Sequence, residues 1–221
     1  PTQSLDFFTV EYANIYERDL PRMQHIGANT VRVYSLEPTK SHVGFYDACA
    51  RHNISVIGSF NLEAWRYNLR DEGSVQAAES ELRQQLDDVR HGHPAVLMWI
   101  VGNEINLPGA GFICDPAYSP TSPDDHAPPC QFNGTEVELL FGVVDRLCAV
   151  VRAVGYLCTT ALAEYPLPHT YDAPPAAAAA RANGVGAAAW FSALEPTTPH
   201  IDVWSANVYR PGGFGDWFDV Y

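Results

Sequence analysis

The sequence predicts an α/β fold: a parallel sheet of the (β/α)8 TIM-barrel type, represented by about five β/α units of an incomplete barrel. Three observations carry this. Short apolar, β-branched runs alternate with stretches of helical period, as strands and helices do in βα units. The run from Val96 to Val101 is apolar throughout, as expected of a strand buried on both faces of a parallel sheet. The ends of the runs are polar, reading Tyr34, Asn61 with Glu63, Asn103 with Glu104, Glu164, and Asn207 with Tyr209. Barrel enzymes gather their polar groups at the C-terminal ends of strands. The other parallel arrangement is an open doubly wound sheet. No Gly-x-Gly-x-x-Gly follows the first strand and no phosphate loop occurs, so nucleotide binding on such a sheet has little support and no cofactor is expected.

Taken in order, residues 1–9 lack a period and read as a loop. From about Glu11 to Ile26, apolar Ile15, Leu20, Met23 and Ile26 keep a helical spacing, with Pro21 expected in a first turn or at a kink. Gly27 stops that helix. Thr30 to Tyr34 alternates as a strand with one buried or pore-facing Arg32. Ser41 is placed to cap a helix running to about His52, and Ile54 to Phe60 is the next strand. Ser74 opens a helical stretch to about Arg90. His91-Gly-His93-Pro94 then leads into Val96–Val101. Thr135 and Glu138 form a capping box for a helix to about Val154, ended by Gly155, before a strand from Tyr156 to Leu162. A short helix around Ala187–Leu194, a strand from Ile201 to Tyr209 and a Gly-rich aromatic loop complete the series. The whole reads as one domain, residues 1–221, with a loop insert at about 107–134 and an Ala/Pro-rich insert at about 172–189.

Composition narrows the function classes. With 221 residues, 47% of them hydrophobic, the chain buries a large core, and no run approaches the roughly 18 apolar residues of a membrane span. A net charge of −13 with only 13 Lys and Arg argues against nucleic acid, which needs a clustered basic face. Neutral or cationic ligands fit better.

Cys114 and Cys130 bracket a loop rich in Pro, Asp and Ser, and read as a disulfide contributing about 3 kcal/mol. Cys49, Cys148 and Cys158 fall in helix or strand and read as small buried hydrophobes. Asn53-Ile-Ser and Asn133-Gly-Thr are glycosylation sequons, Asn53 being the less accessible because a strand starts beside it. Loop disulfide and sequons together point to a secreted or extracellular location. No metal site is expected: His91-Gly-His93 reads as a solvated loop on the face away from the strand ends, and Asp124-Asp-His126 as a surface turn.

The central strand stops abruptly at Gly102-Asn103-Glu104. Two readings of Glu104 stand on the residues alone: a carboxylate placed for chemistry, or a strand-end acid that caps a turn or pairs with an Arg.

Gly27-Ala-Asn-Thr-Val-Arg-Val-Tyr34, then His42, then Gly102-Asn103-Glu104, then Ile201-Asp-Val-Trp-Ser-Ala-Asn-Val-Tyr209 resemble successive strands of the retaining clan A glycoside hydrolases. The closest look is to the β-1,3-glucan remodelling transglycosylases of fungal cell walls, over about Glu17 to Tyr209. The resemblance implies that Glu104 is the general acid/base and that Asn103 bonds the sugar 2-hydroxyl. It also implies that Arg32 and Tyr209 hold the nucleophilic carboxylate, whereas on the residues alone Arg32 reads as a buried ion-pair Arg and Tyr209 as a core-edge tyrosine. Tyr34 and Asn207 join the substrate-binding set. Trp65 is the better sugar-stacking platform, because Trp99 and Trp204 lie inside strands and read as core.

The pattern departs from the family in three places. The family's nucleophilic Glu follows the seventh strand, and the sequence stops after the match to the sixth; the first strand is missing too. A fragment of a longer protein is expected, inactive by itself, with open edges prone to self-association or assembly with the rest of the chain. Glu164 as a substitute nucleophile is disfavoured, since a retaining pair needs carboxyls about 5 to 5.5 Å apart and nothing fixes that spacing. The relatives also join the first two helices by a disulfide, where this chain has Tyr16 and Phe45. Two functions follow: a glycoside hydrolase or transglycosylase acting on β-linked glucan, or a non-catalytic glycan-binding or assembly module on the same barrel. The partner in both is an oligo- or polysaccharide.

Overall fold

The computed structural model describes residues 6–34, 36–107, 110, 112, 134–163 and 194–207. A 3₁₀ turn at Val10–Tyr12 leads into α1 (Ala13–His25), followed by β1 (Thr30–Arg32), α2 (Val43–Arg51), β2 (Ser55–Phe60) and α3 (Glu72–Leu86). A second 3₁₀ turn, Asp87–Val89, precedes β3 (Val96–Asn103); α4 (Gly134–Ala153), β4 (Leu157–Ala163) and β5 (Val203–Asn207) follow. The five strands form one sheet in the order β1-β2-β3-β4-β5, each neighbouring pair parallel. This is the expected part-barrel of βα units. All C-terminal strand ends therefore lie along one edge, and Glu104, one residue beyond the middle strand, lies near its centre.

Register divides the sheet into two faces. Arg32 pairs with Ile57, Ile57 with Met98, Ser59 with Ile100, and Ile100 with Thr159, so by alternation Arg32, Ile100, Thr159, Ser205 and Asn207 share one face. Val56, Gly58, Trp99, Cys158 and Trp204 share the other, against the helices. A Cβ on Gly58 would lie 2.6 Å from the Trp99 indole, so the smallest residue is required beside the largest. Trp99 is fully buried, and Trp204 packs on Phe141 of α4 with ring centroids 6.0 Å apart. Both tryptophans are core. The opposite face, the interior side of a closed barrel, leaves Leu157 and Val203 exposed.

Several local expectations are corrected. Of the two places expected for Pro21, the first turn is excluded, since it lies inside α1, and Met23 and Ile26 are exposed. The buried residues of α1 are Tyr16 and Leu20, because Tyr16 meets Phe45 of α2 edge-on at 5.6 Å and Phe8 stacks against the same ring at 4.8 Å. α3 begins at Glu72, capped by Asp71, whose carboxylate accepts the Ser74 N–H at 2.8 Å; the Ser74 hydroxyl accepts instead from the Asn68 N–H. Thr135 lies within the first turn of α4, not at its cap. His93 is not a solvated loop residue: its Nε2 meets Asp47 at 3.2 Å, and its N–H donates to the Tyr156 hydroxyl. Gly27 and Gly155 end α1 and α4 in the left-handed region, at φ +86° and +91°.

The cysteine reading changes most. Cys148 of α4 and Cys158 of β4 are joined by a disulfide, with Cα atoms 5.3 Å apart, and are not unpaired hydrophobes. The helix end and the Gly155 turn bring the two side chains together, since Cys158 points to the helix-covered face. Cys49 is free and buried, as expected. Cys114, Cys130 and Asn133, with most of the two inserts, lie outside the described residues. Asn53 is exposed in a left-handed turn at φ +52°, so the strand beside it does not hide it.

Candidate active site

The end of β3 is shaped by an unusual backbone. Gly102 has φ +75°, and a Cβ there would meet the Ile105 side chain at 2.8 Å, so both conformation and space demand glycine. Glu104 has φ +52°, a conformation that costs an ordinary residue roughly 1–2 kcal/mol. The turn is held from both sides. The Glu104 N–H donates to the Ala161 carbonyl at 2.7 Å, and the Leu107 N–H donates back to the Glu104 carbonyl at 3.0 Å. Fully buried Asn106 uses its side-chain amide as a strand would use its backbone: Nδ2 donates to the Ala163 carbonyl at 3.0 Å and Oδ1 accepts the Ala163 N–H at 2.8 Å. Backbone strain offset by surrounding bonds is a pattern that clusters at functional sites.

Four side chains from β1, the end of β3 and β5 converge above this turn. Arg32 Nη2 donates to Asn103 Oδ1 at 2.6 Å and Nη1 to Asn207 Oδ1 at 3.1 Å. Asn207 Nδ2 donates to Asn103 Oδ1 at 3.0 Å and to Glu104 Oε1 at 2.9 Å. The Arg32 guanidinium lies 4.4 Å from the centroid of the Tyr34 ring, whose face is half exposed. Arg32 Nε is buried without a partner among the described residues. Among the described residues neither Glu104 nor Arg32 makes an ion pair.

The geometry sorts the sequence-derived candidates. Arg32, Asn103, Glu104 and Asn207 are brought together, with Tyr34 beside them. Trp65 is 81% exposed on the loop that leaves the end of β2. Asn53 sits on the opposite edge, in the turn entering β2. Tyr209 and Glu164 lie outside the described residues. Sequence reasoning missed Asn106, whose only signal was a second Asn two residues beyond Glu104 in a turn. It also missed that Asn207 contacts Glu104 directly.

A family model described as Glucanosyltransferase matches residues 5–110. The curated relatives include the 1,3-beta-glucanosyltransferase PGA4 of Candida albicans, 44% identical over 48 residues, which is 22% of this chain and 11% of that protein. The 1,3-beta-glucanosyltransferase GAS2 of Saccharomyces cerevisiae is 30% identical over 88 residues, 40% of this chain and 16% of that protein. The matched stretches thus span well under a fifth of either relative. Among solved structures, Saccharomyces cerevisiae Gas2p in complex with laminaritriose and laminaritetraose superposes over 93% of this chain and 40% of that one, with a TM-score of 0.54 and 15% identity. The same protein in complex with laminaripentaose gives 0.53, over the same shares and at the same identity. At that identity the likeness establishes the fold: a stretch of parallel βα units from a barrel.

Proposed function

We propose that the full-length protein, whose residues 5–110 match the glucanosyltransferase family model, acts on β-1,3-linked glucan by a retaining two-carboxylate mechanism with Glu104 as general acid/base. The observation that carries this is the state of the Glu104 carboxyl. Oε1 is held by the Asn207 amide while Oε2 makes no hydrogen bond among the described residues, leaving one oxygen fixed and one available to a proton.

In the first step, Glu104 gives its proton to the departing glycosidic oxygen as a nucleophilic carboxylate attacks the anomeric carbon, and a glycosyl-enzyme forms. In the second, ionised Glu104 takes the proton of an acceptor sugar hydroxyl, or of water, as that oxygen displaces the enzyme carboxylate. The nucleophile is assigned to a strand beyond β5. Arg32 Nε has no partner among the described residues, and the fixed charge of the guanidinium favours an ionised carboxylate beside it. Asn103 Oδ1 accepts from Arg32 and Asn207, so its Nδ2 is the atom assigned as donor to a sugar hydroxyl. The exposed rings of Tyr34 and Trp65 suit stacking on sugar faces. Tyr209 keeps its assignment beside the nucleophile. An oxidising, extracellular setting agrees with the Cys148–Cys158 bond and the exposed Asn53 sequon; Cys114–Cys130 and Asn133 are proposed in the same sense.

The test is product analysis of full-length protein incubated with laminari-oligosaccharides. Transfer or hydrolysis with retention of the β-anomer, abolished by Glu104→Gln, is expected. A wild-type protein that binds the oligosaccharide without turning it over instead identifies a glycan-binding module.

A further inference from the structure

Asn207 was expected among the sugar-binding residues, yet its side chain faces the protein. An amide has two N–H donors and one carbonyl acceptor. Here Nδ2 is directed at Glu104 Oε1, 2.9 Å, and at Asn103 Oδ1, 3.0 Å, while Oδ1 accepts from Arg32 Nη1, 3.1 Å. The Arg32 contact fixes the orientation of the amide, because a guanidinium only donates. Asn207 therefore presents nitrogen, never oxygen, to Glu104.

We infer that Asn207 is a positioning residue for the acid/base: its neutral N–H holds Glu104 Oε1 so that Oε2 alone carries the proton exchanged with the glycosidic oxygen. This deepens the reading of Glu104 given above and rests on it. A neutral donor suits a carboxyl that must cycle. An N–H bonds the carbonyl oxygen of the protonated acid and an oxygen of the carboxylate alike, so the anchor survives both halves of the reaction, whereas a cation in its place would favour only the ionised state. The strained backbone of Glu104 sharpens the need. Glu104 lies one residue beyond the end of β3 at φ +52°, and among the described residues Asn207 provides its sole side-chain hydrogen bond. The anchor comes from β5, two strands from β3, so the acid is oriented by the sheet and not by its own loop.

The chemistry supplies a specific readout. Cleaving a sugar–sugar bond requires the proton from Glu104. An aryl laminarioside whose phenol is acidic enough departs as the phenolate and takes no proton in the first step. Full-length protein with Asn207→Ala, and with the isosteric Asn207→Asp that keeps the Arg32 contact, is compared with wild type and with Glu104→Gln on both substrates. Both Asn207 variants are expected to lose kcat on laminari-oligosaccharides by about 10- to 100-fold, with KM within about twofold and the first-turnover burst of phenol on the aryl substrate unchanged. Glu104→Gln is expected to show the same pattern more strongly. A rise in KM at constant kcat, or equal losses on both substrates, makes Asn207 a sugar-binding or structural residue and overturns the inference. Wild-type behaviour of both Asn207 variants beside an inactive Glu104→Gln overturns the inference alone, whereas an active Glu104→Gln overturns the acid/base reading and this inference with it.

Discussion

Two polar clusters in this molecule are built on opposite plans. At the strand ends, Arg32, Asn103, Asn207 and Glu104 are half-buried, and among the described residues Arg32 Nε and Glu104 Oε2 are left without a hydrogen bond. The other cluster joins the N-terminal segment to α2 and the 3₁₀ turn after α3. His42 and Asp6 are 1% and 4% exposed. Asp6 accepts from the Phe8 N–H at 3.0 Å and the Glu37 N–H at 2.7 Å, and meets His42 Nε2 at 2.7 Å. Asp88 accepts the His42 N–H and the Ser41 hydroxyl. Little bonding capacity is left over there. A saturated cluster holds segments together and has nothing to offer a ligand, whereas a cluster with vacant donors is held by its surroundings and remains available for one.

The sharpest way to separate the two is Glu104→Gln, which should lower turnover by about 10² to 10⁴-fold, equivalent to about 3 to 5 kcal/mol of barrier, with an unfolding midpoint matching wild type by thermal melt. Asp6→Ala should do the reverse. It strands two backbone N–H groups and a buried imidazole, costing about 3 kcal/mol of stability in denaturant titration, while the activity of the protein that remains folded is preserved. Loss of activity without loss of stability in Asp6→Ala would break the contrast. Gly102→Ala probes the seam between the two behaviours. The required φ and the Ile105 contact make it destabilising by about 1 to 3 kcal/mol, and because the displaced backbone carries Asn103 and Glu104, kinetics should register a larger fractional loss than calorimetry.

The smallest effect is acid sensitivity. Burial raises the Asp6 carboxyl, but the His42 contact and the Glu37 and Phe8 N–H groups outweigh it and hold its pKa below the ordinary 3.8. The folded state therefore holds this proton less tightly than the unfolded chain. Its contribution is complete above about pH 5 and is lost as pH falls through 3.8 towards the lower folded value. Asp6→Asn, which cannot ionise, should show a flatter decline of unfolding midpoint between about pH 5 and 3; parallel slopes would count against the assignment.

What the sequence disclosed follows from which signals are local. Val96–Val101 and Ile54–Phe60 announce themselves because a strand covered on both faces must be apolar at every position. Glu104 and Asn207 were legible as polar residues ending such runs. Their mutual contact was not, because it depends on register carried across three strands. Cys148–Cys158 was hidden for a similar reason: pairing needs the knowledge that Cys158 points towards α4, and one residue of slip would turn it away. The Asp71 cap lost to Ser74 in the reading because both residues can cap, and only the backbone shows which lies outside the helix. Positive φ at Glu104 leaves no trace in a residue type that rarely adopts it.

The two helix junctions also differ in their response to the surroundings. α1 and α2 are joined by the Tyr16–Phe45 contact, at the place where the family resemblance leads one to look for a covalent tie, whereas α4 and β4 are joined by sulfur. A reducing environment thus leaves the first junction untouched and loosens only the second. β4 is the neighbour of β5, and its carbonyl at Ala161 holds Glu104. Among the described residues, thiol chemistry consequently reaches the strand-end edge through the strand pair that carries both Asn207 and the carbonyl that holds Glu104.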